Sequence, residues 1–297
     1  MIKESLQSFF GAFSSLLKDK RSLAVFLGLY AVLLGALYGF IAIREATVWQ
    51  VLLTLLFIGA APIVFFLLQA AIIDHAQTSQ INWGRILRAS TKLALTTIPI
   101  ILIGWGMFWL LNKWQRHFPA PFFQTQSPIA ANGVNKGPIV PPTHWPSVAF
   151  SAARVAIFGV FLPLALIQLW VQATGRELLS FFRGGGRVVG SRWGGIVGRA
   201  FAPGSVIIYA LGLILFAVLP YVGLFVHKPA KGAWTDIVIL SVRLAIVLAL
   251  VFIGWAATLT AFAKRDTERP PLLVQAGGET ATKPPAEQPA VSVVDAA

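Results

Sequence analysis

The side chains best suited to proton transfer or metal binding in this 297-residue chain are His75, His117, His144 and His227, and there is no cysteine. Without thiols, disulfides, thiolate metal sites and cysteine nucleophiles are excluded. The four histidines fall in different connecting segments and lack the i, i+4 spacing that puts two imidazoles on one helix face. No metal or cofactor is expected. The run Gly184, Gly185 and Gly186, with Gly190, Gly194, Gly195 and Gly198, has the composition of a phosphate loop. No strand precedes it and no Gly-Lys-Ser/Thr follows, so it reads as a flexible hinge. There is no Gly-x-Ser-x-Gly elbow. A lipid-modifying enzyme would need a His, Asp, Glu or Ser cluster at one interface. Asp74 and His75 are adjacent, but neighbours on a helix point in different directions. The chain is not expected to be an enzyme.

Two cations stand inside long apolar runs, Arg154 and Arg243. Each lies about six residues from the outer end of its run, a depth of roughly 9 Å at 1.5 Å per residue. At that depth a guanidinium reaches the outer head groups along its own stem. Alternatively, both face one outward-open cavity that holds an anion, with Asp236 or Glu45 partnering one of them. No carboxylate lies in any run, so a proton relay lacks its usual carrier. Gln69, Gln168 and Gln172 are placed for interhelical hydrogen bonds worth about 0.6 kcal/mol each. Pro62, Pro99, Pro163 and Pro220 interrupt four runs, where a missing N–H kinks a helix or frees a carbonyl.

The elements that must position these residues are membrane spans. Hydrophobic residues make up 57% of the chain and charged ones 12%, against roughly a quarter charged in a soluble domain. Six apolar runs occur, Ser22 to Ile43, Val48 to Ile73, Leu93 to Leu111, Val148 to Ala173, Ser205 to Val226 and Ile237 to Phe262. About 20 apolar residues cross a ~30 Å hydrocarbon core, and a lone segment there satisfies its backbone only as a helix. The predicted fold is an all-α integral membrane bundle of six transmembrane helices with amphipathic interfacial helices. Residues 1–21 form the first interfacial helix, 22–263 the six-span domain and 264–297 a disordered cytoplasmic tail. Pro-rich residues 112–147 form an extended outer loop.

Of the 24 Lys and Arg, sixteen fall in segments on the side of the amino terminus, six on the other side, and two within the runs. Cytoplasmic loops retain cations, so both termini are predicted to be inside a plasma or bacterial inner membrane. The net charge of +13 then matches anionic head groups rather than nucleic acid.

Three interfacial segments carry this charge. Ile2, Leu6, Phe9, Phe13 and Leu16 recur at helical spacing in the first 20 residues. Trp83, Ile86 and Leu87 share a side away from Arg85, Arg88 and Lys92. Val189, Trp193, Ile196, Val197 and Ala200 do the same with Arg192 and Arg199 elsewhere. Arg85, Arg88, Arg192 and Arg199 are thus candidates, with Arg154 and Arg243, for binding an anion or a lipid head group. Trp83-Gly84-Arg85-Ile86-Leu87 matches Trp193-Gly194-Gly195-Ile196-Val197, whereas Ile103-Gly104-Trp105 matches Ile253-Gly254-Trp255 at a different offset. Gly35 and Gly39 allow close packing of the first span against the second, or against another copy of the chain. The expected function is a non-enzymatic membrane protein, permease-like or membrane-organising. The alternatives are a transporter or channel for a small anionic or amphipathic solute and a lipid-modifying enzyme.

Overall fold

A computed structural model of the chain describes residues 2–43, 47–118, 144–175, 194–225 and 233–267. Every regular element among them is a helix. In order they are α1 (Ile2–Lys18), α2 (Lys20–Ala42), α3 (Val48–Thr78), α4 (Trp83–Gln115) and α5 (Trp145–Ala156). Next, α5 runs through a π-helical turn, π1 (Ile157–Phe161), into α6 (Leu162–Gly175), and α7 covers 194–200. Finally α8 (Pro203–Leu213) runs through π2 (Ile214–Val218) into α9 (Leu219–Phe225), and α10 is Ala233–Thr267. Six of these stretches, α2, α3, α4, α5 with α6, α8 with α9, and α10, are long and apolar enough to cross a bilayer. The chain is therefore an all-α membrane bundle.

Short polar residues set the helix ends. Asp19 caps α2 by accepting from the Ser22 N–H, and Thr47 and Gln50 form a reciprocal capping box at the start of α3. Ser79, with φ of 56°, closes α3 in the left-handed conformation, its N–H on the His75 carbonyl. Three residues later Asn82 caps α4, so α3 and α4 form an antiparallel hairpin.

Burial is graded along the bundle. At the end carrying α1, here termed basal, the core takes in Phe9 and Leu16 of α1, Leu68–Ile73 of α3 and Ile86 and Leu93 of α4. It continues through Leu164, Ile167 and Trp170 of α6, Ile208 of α8, and Ala256, Ala257 and Phe262 of α10. Toward the distal end, Trp49 and Leu55 of α3, Trp105 and Trp109 of α4, and nearly every described side chain from Trp234 to Ile246 of α10 are exposed. Paired small residues at the basal end, Ala70 with Ala71 and Ala256 with Ala257, let backbones approach there. The distal halves carry Leu, Ile and Trp instead.

Two expectations change form. The amphipathic face of α1 buries Ser5, Phe9, Ala12 and Leu16 against α10 and α8, with Lys264 Nζ donating to Ser15 Oγ at 2.8 Å. Its apolar stripe thus meets protein, leaving Ile2 and Phe10 exposed. The segment around Trp83 is the first turns of the 33-residue α4, not a separate in-plane helix. Ile86, Ala89, Ser90, Leu93, Thr96 and Thr97 form one continuous buried stripe through it, so nothing breaks the helix where it leaves the hydrocarbon. In contrast, 194–200 does form its own helix, and Ile196 and Ala200 are buried.

Of the four span prolines, Pro62 and Pro99 sit inside unbroken α-helices. Pro163 and Pro220 each follow a π turn and a leucine. The Leu162 N–H reaches the Ile157 carbonyl and the Leu219 N–H the Ile214 carbonyl, both five residues back. The carbonyl that residue 163 would have bound in an α-helix is that of Gly159. It accepts instead from the Tyr209 hydroxyl of α8 at 2.6 Å.

Candidate functional site

The sequence candidates separate into a distal and a basal group. At the distal end, Arg154 of α5 projects onto α4. Its Nη2 donates to Asn112 Oδ1 at 2.6 Å and to Gln115 Oε1 at 2.5 Å, and its Cζ lies 6.0 Å from the centre of the Phe108 ring. Arg154 Nε is buried and meets no acceptor. The two neutral amides orient the guanidinium, and among the described residues no carboxylate pairs with it. Of the two carboxylates proposed as partners, Asp236 is not among the groups that Arg154 meets, and Glu45 lies outside the described residues.

Lys113 and Arg116 stand on the same face of α4, with Lys113 Nζ 5.1 Å over the Trp109 ring. Together with Trp105, Phe108, Trp109 and Asn112 they line a recess of about 380 Å³. These six positions recur every three or four residues, the spacing of one helix face. Sequence reasoning missed this group because it assigned Lys113 and Arg116 to a loop. The signal was present in the aromatic and cationic residues at i, i+3 and i+4 from Trp105 onward. Arg243 is half-exposed on α10 and forms no hydrogen bond or ion pair among the described residues. The polar contacts of Arg154 all go to α4 and none to α10, so no bond joins the two arginines.

At the basal end the candidate cations divide. Arg85 Nη2 lies 3.2 Å from Asp74 Oδ2, a carboxylate almost wholly buried, and also donates to Thr78 Oγ1. Arg199 Nη1 lies 3.2 Å from Asp266 Oδ1, which also accepts from Gln168 Nε2. Both arginines are held by the fold, Arg85 by a buried carboxylate and Arg199 by a partly buried one, which removing the cation would strand. Arg88 is exposed, and Arg192 lies outside the described residues. So do the glycines 184–186, most of the Pro-rich loop and residues 268–297. Lys264–Thr267, assigned to the tail, are the last turn of α10.

A second basal cluster has no counterpart in the sequence reading. Asp19, Ser22 and His75, 53 residues or more apart for the serine and histidine, meet where α2 begins and α3 ends. His75 Nε2 lies 3.2 Å from Asp19 Oδ2, and its Nδ1 lies 3.5 Å from Ser22 Oγ. The Ser22 hydroxyl donates to Asp19 Oδ2 at 2.7 Å. Its proton is thus directed to the carboxylate and not to the imidazole, the reverse of what activates a serine nucleophile. Hydrogen bonds from the Ser22 hydroxyl and backbone hold the Asp19 carboxyl below the usual carboxylate range, and His75 adds to this. The arrangement is a helix cap that the imidazole closes from α3. His75 and Asp74 do point apart, to Asp19 and Arg85 respectively.

The amides within the spans are mostly committed to packing. Gln69 Oε1 accepts from Trp255 Nε1 at 2.6 Å, and Trp170 Nε1 donates to Thr97 Oγ1 at 2.9 Å. Gln172 is the exception, with both amide atoms buried and unpartnered. The glycines of the two Ile-Gly-Trp matches have parallel roles: a Cβ on Gly104 would press on Leu162, directly after π1, and one on Gly254 on the Phe216 backbone in π2. Of the pair Gly35 and Gly39, only Gly39 is covered, by the Phe57 ring of α3.

No protein-family model matches the chain. No curated protein sequence and no solved structure matches it either.

Proposed function

We propose that this chain is a non-enzymatic multi-pass protein of a cell membrane, permease-like or membrane-organising, with both termini on the cytoplasmic side. The observation that carries the reading is how its polar side chains are used. Trp255 with Gln69, Trp170 with Thr97 and Tyr209 with the Gly159 carbonyl tie span to span. The serine, histidine and aspartate that do converge are engaged as a helix cap. The permease-like form draws on the two antiparallel spans with matching π-Leu-Pro segments, because π turns and prolines are where a membrane helix bends.

A second reading, a carrier or channel for a small anionic or amphipathic solute, is favoured by one observation, the Arg154 charge, with which no carboxylate among the described residues pairs, beside Lys113 and Arg116. Lipid modification is disfavoured by the direction of the Ser22 hydroxyl.

Two measurements test the main reading. Purified protein incubated with a mixed lipid extract should leave the lipid masses unchanged; a converted lipid that disappears with His75→Ala sinks the non-enzymatic assignment. Because the chain has no cysteine, single cysteines can be placed freely. Lys113→Cys should react with a membrane-impermeant maleimide on intact cells and Lys3→Cys should not. The opposite pattern inverts the topology.

A further inference from the structure

We propose that the distal face of α4, completed by Arg154 of α5, binds an anionic phospholipid, with the phosphate among the three cations and an acyl chain along the aromatic rings. The inference rests on the anionic or amphipathic reading of this same site and names the ligand.

Charge is the first argument. Lys113 and Arg116 line the recess, Arg154 is bonded to Asn112 in its wall, and among the described residues none of the three has a carboxylate within ion-pair distance. A buried guanidinium nitrogen without an acceptor is costly, and Arg154 Nε is such a nitrogen. Guanidinium and ammonium donors match phosphate oxygens closely. Three positive charges also repel the ammonium of a zwitterionic head group, which selects a net negative lipid.

Shape is the second argument. Deeper than the cations, the recess is walled by Trp105, Phe108 and Trp109, which are 69%, 47% and 54% exposed. A small hydrated anion would leave these rings uncovered, whereas a lipid covers them with its chain while its phosphate stays at the level where tryptophans anchor. Asn112 and Gln115 hold Arg154 in place between the two zones.

The test uses the full chain in lipid nanodiscs of phosphatidylcholine containing a small fraction of phosphatidylglycerol, with retained lipids counted by native mass spectrometry. The wild type should retain phosphatidylglycerol above its bulk fraction. Lys113→Gln combined with Arg116→Gln, both on exposed side chains and so harmless to folding, should cut that enrichment about tenfold or more, at roughly 1 kcal/mol per cation near a charged surface. Arg154→Gln should abolish it, with an unchanged thermal transition of that variant and of the double variant as the check on folding. Equal retention of the two lipids overturns the proposal, as does full displacement by inorganic phosphate at millimolar concentration, which would mark a site for a free anion. Anion flux in sealed vesicles separates this from the transport reading. Flux without enrichment overturns the lipid site alone, and enrichment without flux supports it while removing transport.

Discussion

Among single residues, the contacts that matter most join segments far apart in sequence. Trp255 donates to Gln69 across 186 positions, and Gln69 is almost completely buried. Replacing Trp255 with Phe strands the Gln69 carbonyl oxygen, at a cost of about 1 kcal/mol. The unfolding midpoint in mixed detergent should fall, and Gln69→Leu in the same chain should restore most of it. A double variant no more stable than Trp255→Phe would show that the bond contributes nothing. Asp19 gives a pH dependence of definite sign. Its carboxyl is held below the ordinary range chiefly by the Ser22 hydroxyl. A carboxylate depressed in the folded state contributes stability that is present above its unfolded value of about 3.9 and lost as pH falls through the folded one. Acidification below about pH 4 should therefore lower the amide protection factor at Ser22, and Asp19→Ala should lack that protection at every pH. A wild type flat across that range would refute the cap. Neither contact was legible in the sequence. Gln69 and His75 were visible as polar residues, but what each faces depends on helix rotation and packing, which periodicity leaves open. Arg154 was visible because a cation in an apolar run is costly; its amide partners were not, because Asn112 and Gln115 fall where the run ends.

At the level of elements, hydrophobic length was enough to place all six spans, since the bilayer admits no other structure for such runs. Boundaries were less readable: α4 begins ten residues before its apolar run at Leu93, because a helix continues wherever a cap and a buried stripe allow. The prolines were plain and the π turns were not. Pro62 and Pro99 show that proline alone does not produce a π turn, and what distinguishes Pro163 and Pro220 is the neighbouring span. Gly254 lies so near π2 that an added Cβ would sit 2.9 Å from the Phe216 nitrogen. Gly254→Leu should therefore wedge α10 off α8 and α9 and lower stability by about 1 to 3 kcal/mol. Gly28→Leu, with nothing within 4 Å of its Cβ, should be neutral. Equal effects of the two would mean that close approach at π2 is not what the glycine provides.

For the whole molecule, the gradient of burial has a consequence for the surrounding lipid. A bundle closed at its basal end and divergent at its distal end lets acyl chains reach between helices on one side of the membrane only. Leu, Ile and Trp cover much of the distal halves, and no interhelical hydrophobic force draws apolar helices together in a solvent that is itself apolar. The basal end holds because it has the small-residue contacts, the ion pairs of Asp74 and Asp266, and α1 packed across α8 and α10. Sequence composition cannot show this asymmetry, since both halves are equally apolar; only the placement of alanines hints at it. The native tryptophans can measure it. Trp234 is 80% exposed and Trp170 only 2%. In bilayers of brominated phosphatidylcholine, a variant retaining only Trp234 should be strongly quenched, and one retaining only Trp170 should be nearly unaffected. Similar quenching at the two positions in the intact chain would mean that the helices are packed evenly along their length, and that the distal halves meet each other or another protein instead of lipid.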